Sequence, residues 1–246
     1  VMATGYNLID IEAARERGIP VCNAPGYSTH AVAQHTMALL LEICNCVGLA
    51  NQNARKSATE TDWGFWGGSM MELAGKTFGC IGFGNIGRAA GKIAAALGMR
   101  VVASGSRPTE EGKAIAEYLP LEELLRCSDV ISLHAPLLPE TKGIINRETI
   151  SQMKEGAILL NTARGGLVEE EALAEALAGG KLRAAGLDVT AVEPLQPSSP
   201  LYSAPNCYIT PHIAWAPRET RARLQRVLAD NLRAFREGHP INVVNL

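Results

Sequence analysis

Arg164 sits where a guanidinium is costly. It follows an apolar run, Ala157-Ile158-Leu159-Leu160, and precedes two glycines within Asn161-Thr162-Ala163-Arg164-Gly165-Gly166-Leu167-Val168. A cation beside a buried strand is penalised unless it is paired, so the position implies an anion that Arg164 is there to meet. A second stretch with chemical meaning is Gly82-Phe83-Gly84-Asn85-Ile86-Gly87, which fits G-x-G-x-x-G. It follows the apolar run Thr77–Ile81 and opens a small-residue helix, with another apolar run on schedule at Arg100–Ala103. In that setting the glycines permit a tight turn, close approach to a pyrophosphate and close helix packing. The helix N-terminus, at Asn85 and Ile86, then supplies amides and a positive dipole end to phosphate. A purely structural turn is the alternative. The strand–turn–helix context favours a dinucleotide.

Such a loop is usually followed, about 20 residues on, by an acid that holds the ribose 2′-hydroxyl. Between Glu72 and Glu110 this chain has no acidic residue, and the second strand ends Ala103-Ser104-Gly105-Ser106-Arg107-Pro108. Removing the carboxylate removes repulsion against a 2′-phosphate, which Ser106 and Arg107 are suited to bind. NADP is therefore expected to be accepted and favoured. In the other reading Arg107 stacks on the adenine and NAD is used.

Two further segments complete a pattern: Gly186-Leu187-Asp188-Val189-Thr190-Ala191-Val192-Glu193-Pro194 and Thr210-Pro211-His212-Ile213-Ala214-Trp215. Together with the glycine loop and the Arg164 stretch, they resemble the D-isomer-specific 2-hydroxyacid dehydrogenase family, in its glyoxylate/hydroxypyruvate reductase (glycerate dehydrogenase) branch. The resemblance covers essentially the whole chain, including Ala3-Thr4-Gly5-Tyr6-Asn7 and Pro25-Gly26-Tyr27-Ser28-Thr29. It implies that Arg164, Glu193 and His212 converge beside a nicotinamide. Reduction of a small 2-oxo acid to its D-2-hydroxy acid then needs hydride at the carbonyl carbon and a proton at its oxygen. His212 is suited to supply the proton, with Glu193 favouring its imidazolium form. The fork of Arg164 can hold the substrate carboxylate and carbonyl oxygen together, orienting the carbonyl and stabilising charge that develops on it. By resemblance the amides of Thr4 and Gly5 hold the other side of the carboxylate, and Asp188 accepts from the nicotinamide amide. His134 and Thr162 are placed on the cofactor side of the cleft. A glutamate at 193 argues against the formate dehydrogenase branch, where a glutamine partners the histidine.

Singly, each residue has a plainer reading: a structural histidine, a surface acid before Pro194, an arginine capping a carbonyl. Their joint appearance in this order favours function. Two rivals keep the fold: a non-catalytic dinucleotide-sensing scaffold, and a phosphite dehydrogenase using the same three residues. His30 and His35 are expected to be packing or interface residues. Trp63 and Trp66 either reach a neighbouring subunit's pocket or pack locally.

The elements that must position these groups follow from pattern. Asp10 caps a helix over Ile9–Arg17 that stops at Gly18, Ile19–Cys22 reads as a short strand, and Ser28 or Thr29 caps a long helix to about Cys46. Asn51 to Gly68 reads as a polar, then aromatic excursion. From Lys76 onward, strands at 77–81, 100–103, 129–133, 157–160, 184–188 and 206–210 alternate with helices at 88–97, 121–126, 150–154 and 169–178. A last amphipathic helix spans 218–237. Apolar strands alternating with helices predict an α/β fold, a doubly wound parallel (Rossmann) sheet, with a partial second, substrate domain. The expected division is 1–23 as a remnant of the substrate domain, 24–215 as the dinucleotide-binding domain, and 216–246 returning to the substrate domain. The opening Val1-Met2-Ala3-Thr4-Gly5 reads as a strand entering a loop, without a start methionine. That is the expectation for a fragment, in which hydride transfer would be poorly shielded from water.

Composition narrows the class. The chain has 246 residues, 47% hydrophobic, with formal net charge −2 and pI near 6.3. Neither nucleic acid nor an anionic membrane is an expected partner. The longest apolar run, Met37–Leu41, is broken by Glu42, too short for a span. Six scattered cysteines, with Cys44-Asn45-Cys46 lacking metal-ligand spacing, read as reduced, buried thiols of a cytoplasmic protein without a metal or a signal peptide. The long helix after Ser28 and the excursion beyond it resemble parts that form a two-fold homodimer in the family.

Overall fold

The computed structural model of the protein describes residues 1–56, 63, 69–105 and 107–245. Two compact units divide the chain, Val1–Val32 with His212–Leu246, and Ala33–Pro211.

The larger unit is built on a parallel sheet. Strands β1 (Thr77–Ile81), β2 (Arg100–Ser104), β3 (Glu117–Tyr118), β4 (Val130–Leu133), β5 (Ala157–Asn161), β6 (Leu182–Leu187) and β7 (Cys207–Ile209) lie in the order β3-β2-β1-β4-β5-β6-β7. Every neighbouring pair is parallel. The chain winds outward from β1 to β3 and returns to start the other half at β4. The β1/β4 gap is therefore the topological switch point, outside whose carboxyl ends ligands bind in this class of sheet.

Continuous apolar runs are needed because both faces are covered. On one face Phe78, Cys80, Val101, Ala103, Ile158 and Leu160 pack with Met37, Leu40 and Ile43 of α2 (Thr29–Asn45) and Ala90 and Ala94 of a helix at Asn85–Ala96. On the other, Ile81, Val102, Ile131 and Leu159 meet Leu124, Leu173 and Leu177 from helices at Leu121–Cys127 and Glu170–Ala178. The alternation Val101/Val102/Ala103 and Ile158/Leu159/Leu160 between the faces is the two-residue period of a strand.

Several expectations are corrected. Val47–Lys56 is helical (α3) rather than irregular, and the excursion beyond Lys56, Trp63 apart, lies outside the described residues until Ser69. A four-residue helix at Glu110–Lys113 and the two-residue β3 have too little apolar patterning to read from sequence. The helix expected at 150–154 is Arg147–Gln152, started by an Asn146/Thr149 capping box. Neither Ile19–Cys22 nor Val1–Gly5 is a strand. The first contributes a single bridge, Cys22 to Val243, and the second hydrogen bonds through Ala3 O to Ala24 N at 3.0 Å. Only Cys44 and Cys80 of the six cysteines are buried; burial raises Cys44 to about 11 and Cys80 further. The others are half-buried, Cys46, Cys127 and Cys207 at helix or strand ends and Cys22 at its isolated bridge.

In the smaller unit α1 (Ile11–Glu16) is capped by Asp10, whose carboxylate accepts the Ala13 amide at 2.9 Å. The helix Arg218–Arg236 packs Leu224 on Ala24 and Tyr27, and Arg223 Nε donates to Tyr27 O at 2.9 Å.

Candidate active site

The glycine loop leaves β1 at the switch point. Gly82 has φ +86°, and a Cβ there would lie 2.6 Å from Ala135 N, so the protein itself demands glycine. Gly84 is different. Its φ is −75°, a Cβ would meet nothing within 4 Å, and no side chain caps the twelve-residue helix it starts at Asn85. Open space thus lies before a helix N-terminus with uncapped amides, the geometry a pyrophosphate needs. Gly87 lies on the first turn of the helix, and its carbonyl accepts from Cys80 Sγ at 3.8 Å. At the end of β2, Gly105 takes φ +77°, Arg107 is exposed, and Ser106 lies outside the described residues. Glu111, the first acid after the gap to pair with this region, engages Arg88 and Lys92 of the loop's helix instead.

His134 follows β4 on the opposite side of the switch point. Its Nε2 lies 2.9 Å from Ser132 Oγ, and its Nδ1 is buried without a hydrogen-bond partner among the described residues. Burial lowers its pKa to about 4, so the ring is neutral at pH 7.

Arg164 and Glu193 lie on loops that pack directly. Asn161, the last residue of β5, accepts the Ala163 amide at 3.0 Å and donates to Arg164 O at 2.8 Å, which fixes the turn carrying Arg164. The Arg164 guanidinium also donates to Ala163 O at 2.7 Å. A Cβ on Gly165 would fall 2.0 Å from the carbonyl of Thr190, so this close approach of the two loops exists only because residue 165 has no side chain. On the second loop Thr190 N donates to Glu193 Oε1 at 3.3 Å and Thr190 Oγ1 to Val192 O at 2.8 Å. Glu170 spans the loop from outside, accepting the Ala191 amide at 2.6 Å and the Ser199 hydroxyl at 2.8 Å.

Asp188, directly after β6, is 1% exposed. Thr210, directly after β7, donates its hydroxyl to Asp188 Oδ1 at 2.6 Å, and His35 Nε2 lies 2.9 Å from the same hydroxyl. The neighbouring Thr36 meets Thr162, after β5, at 2.8 Å.

His212, Thr4 and Gly5 belong to the smaller unit. His212 has φ +54°, a left-handed backbone that costs on the order of 1–3 kcal/mol outside glycine and is found where geometry is over-determined. The Thr4–Gly5 turn is tied down by Thr4 Oγ1 donating to Ala24 O at 2.9 Å and Asn23 Nδ2 to Thr4 O at 2.8 Å.

Residues 37–214 match the family model described as "D-isomer specific 2-hydroxyacid dehydrogenase, NAD binding domain". The chain belongs to that family. It is 51% identical over its whole length to a hydroxypyruvate reductase of Blautia hydrogenotrophica, covering 77% of that protein. It is 43% identical to a glyoxylate reductase of Aeropyrum pernix, over 99% of this chain and 75% of the other. The crystal structure of the TT0316 protein from Thermus thermophilus superposes with a TM-score of 0.88 at 48% identity, over 99% of this chain and 77% of that one.

This 2-hydroxyacid dehydrogenase is thus an oxidoreductase interconverting 2-oxo and 2-hydroxy acids with a nicotinamide dinucleotide. The open cradle at Gly84 fits the cofactor. Trp63 is 72% exposed, and Trp66 lies outside the described residues. His35, expected as packing or interface, is instead engaged with Thr210 and Asp188. Sequence reasoning also missed Glu170, Asn161 and the asparagines of the smaller unit. There Asn242 Nδ2 donates to Asn231 Oδ1 at 2.8 Å, and Asn231 Nδ2 to Asn23 O at 2.8 Å. Asn161 alone carried a signal, a polar residue ending an otherwise apolar strand.

Proposed function

We propose that the protein reduces a small 2-oxo acid of the hydroxypyruvate or glyoxylate type to the D-2-hydroxy acid, with NADP accepted and favoured over NAD. The packing of Gly165 on Thr190, which holds the Arg164 and Glu193 loops together at the carboxyl ends of β5 and β6, carries this reading. The names of the two similar reductases support the substrate class.

When bound, the reduced cofactor supplies hydride to the substrate carbonyl carbon. Arg164 binds the substrate carboxylate and carbonyl oxygen through its fork, with the Thr4 and Gly5 amides on the far side of the carboxylate. His212 donates the proton that the carbonyl oxygen acquires, and Glu193 orients its imidazole. Asp188 accepts from the carboxamide of the nicotinamide, Gly82, Gly84, Asn85, Ile86 and Gly87 hold the pyrophosphate, and Ser106 and Arg107 receive the 2′-phosphate. His134 and Thr162 line the cofactor side. Segments 1–23 and 216–246 act as parts of a substrate-binding domain, with 24–215 binding the dinucleotide.

A homodimer in a cytoplasmic setting completes the proposal. Val47 and Leu49 of α3, 60% and 45% exposed, with Leu41 of α2, offer apolar surface for a second copy. No single helix among the described residues is long and apolar enough to cross a membrane.

The test is turnover of hydroxypyruvate and of glyoxylate with NADPH and NADH, beside a His212→Gln variant. Turnover that drops by at least about a hundredfold in the variant, with cofactor binding intact, is expected. Cofactor binding without turnover of either acid would instead mark a dinucleotide-sensing scaffold. Sedimentation showing only monomer would remove the dimer.

A further inference from the structure

The polar groups of α2 reach three strand ends that adjoin the proposed nicotinamide site. His35 points to the ends of β6 and β7, and Thr36 to the end of β5. Helix and sheet come this close because residue 186 of β6 is glycine: a Cβ there would lie 3.1 Å from Leu39 Cβ.

The hydrogen-bond order in this network has one solution. As a carboxylate Asp188 can only accept, so the single hydroxyl proton of Thr210 goes to Asp188 Oδ1 at 2.6 Å. The Thr210 oxygen, 2.9 Å from His35 Nε2, must then accept, which places a hydrogen on Nε2. That same N–H lies 3.4 Å from Asp188 Oδ1, so donor charge faces one carboxylate oxygen from two directions. A carboxylate only 1% exposed needs such donors to stay in place, and these two engage its Oδ1.

We infer that His35 is a positioning residue for the nicotinamide: through Thr210 it holds the Asp188 carboxylate in the orientation that receives the carboxamide. The inference rests on the proposed role of Asp188.

The test titrates the purified protein and its His35→Ala, His35→Gln, Thr210→Val and Asp188→Ala variants with two pairs of probes. These are NADH with ADP-ribose, and NADPH with 2′-phospho-ADP-ribose, the second of each pair lacking the nicotinamide. His35→Ala and Thr210→Val should each weaken dinucleotide binding about tenfold, the scale of one hydrogen bond to a charged group, and leave the fragments' Kd unchanged. His35→Gln, which keeps an N–H donor near the Nε2 position, should bind within about threefold of the parent. Equal loss for fragment and dinucleotide, no loss in His35→Ala, or failure of glutamine to restore binding would each overturn the role of His35. If Asp188→Ala weakens the dinucleotide while His35→Ala does not, only the His35 inference falls. If Asp188→Ala is itself silent, the reading of Asp188 fails and takes this inference with it.

Discussion

The Glu170 carboxylate accepts the Ala191 amide at 2.6 Å. Glu170 stands at the start of the helix Glu170–Ala178, and its other oxygen takes the Ser199 hydroxyl, so one side chain braces both ends of the loop that bears Glu193. That contact lies outside the candidate catalytic set, yet it ties Ala191, two residues before Glu193, to the helix.

Glu170→Ala should therefore lower kcat by about tenfold and stability by about 1–2 kcal/mol, the cost of leaving a loop amide and a hydroxyl without their acceptor. Glu170→Gln, which retains one acceptor oxygen for Ala191, should recover most of both. Urea unfolding and steady-state kinetics on the pair check this. Equal kcat values for alanine and parent would show that the brace is dispensable.

The two glycines of the loop after β1 should fail differently. Gly82→Ala forces a side chain into a left-handed backbone and onto Ala135 N, so a loss of roughly 2–4 kcal/mol is expected in thermal or urea unfolding. Gly84→Ala meets no protein atom within 4 Å. As an N-cap, alanine in place of glycine should cost only about 1 kcal/mol, well below the Gly82→Ala loss, while dinucleotide affinity falls at least tenfold because the methyl occupies the space the pyrophosphate needs. A Gly84→Ala protein that binds cofactor normally would contradict the cradle.

His134 makes stability depend on pH. Its pKa is held at about 4 by burial, below the ordinary histidine value of 6.5 that it regains on unfolding. The unfolded chain then binds the proton first, so the stability this group contributes is complete above pH 6.5 and is lost as pH falls toward 4. About 2 kcal/mol should disappear between about pH 7.5 and pH 5. In His134→Gln, which keeps a donor for Ser132 but cannot titrate, that part of the slope should vanish from urea unfolding curves taken across the range.

Arg107 tests cofactor choice. Arg107→Ala should cut kcat/KM for NADPH by about tenfold or more, since a charge-assisted phosphate contact is lost, and change the NADH value by less than about threefold. Equal losses for the two cofactors would instead favour stacking on the adenine.

Much of the sheet was legible because it is buried on both faces. Runs such as Phe78–Ile81 and Ala157–Leu160 have to be continuously apolar there, and they fall in β1 and β5. The glycine loop was legible for a related reason: a tight turn between β1 and a helix, with Gly82 at φ +86° against Ala135 N, tolerates few residue types. Boundaries were harder where capping decided them. Asn146 moved a helix start to Arg147, and β3 pairs only Glu117 and Tyr118 with β2, too few residues to show a period.

The chain's own letters therefore determined the α/β class, the glycine turn after the first strand and the family, because short-range pattern and order carry those properties. Tertiary structure alone decided which polar residues brace the site. His35 and Thr210 are 175 positions apart, Thr36 and Thr162 126, and Glu170 and Ala191 21. No local periodicity encodes such pairs. They exist because a glycine in β6 lets one helix settle close to the sheet, and a glycine at 165 lets two loops share a surface.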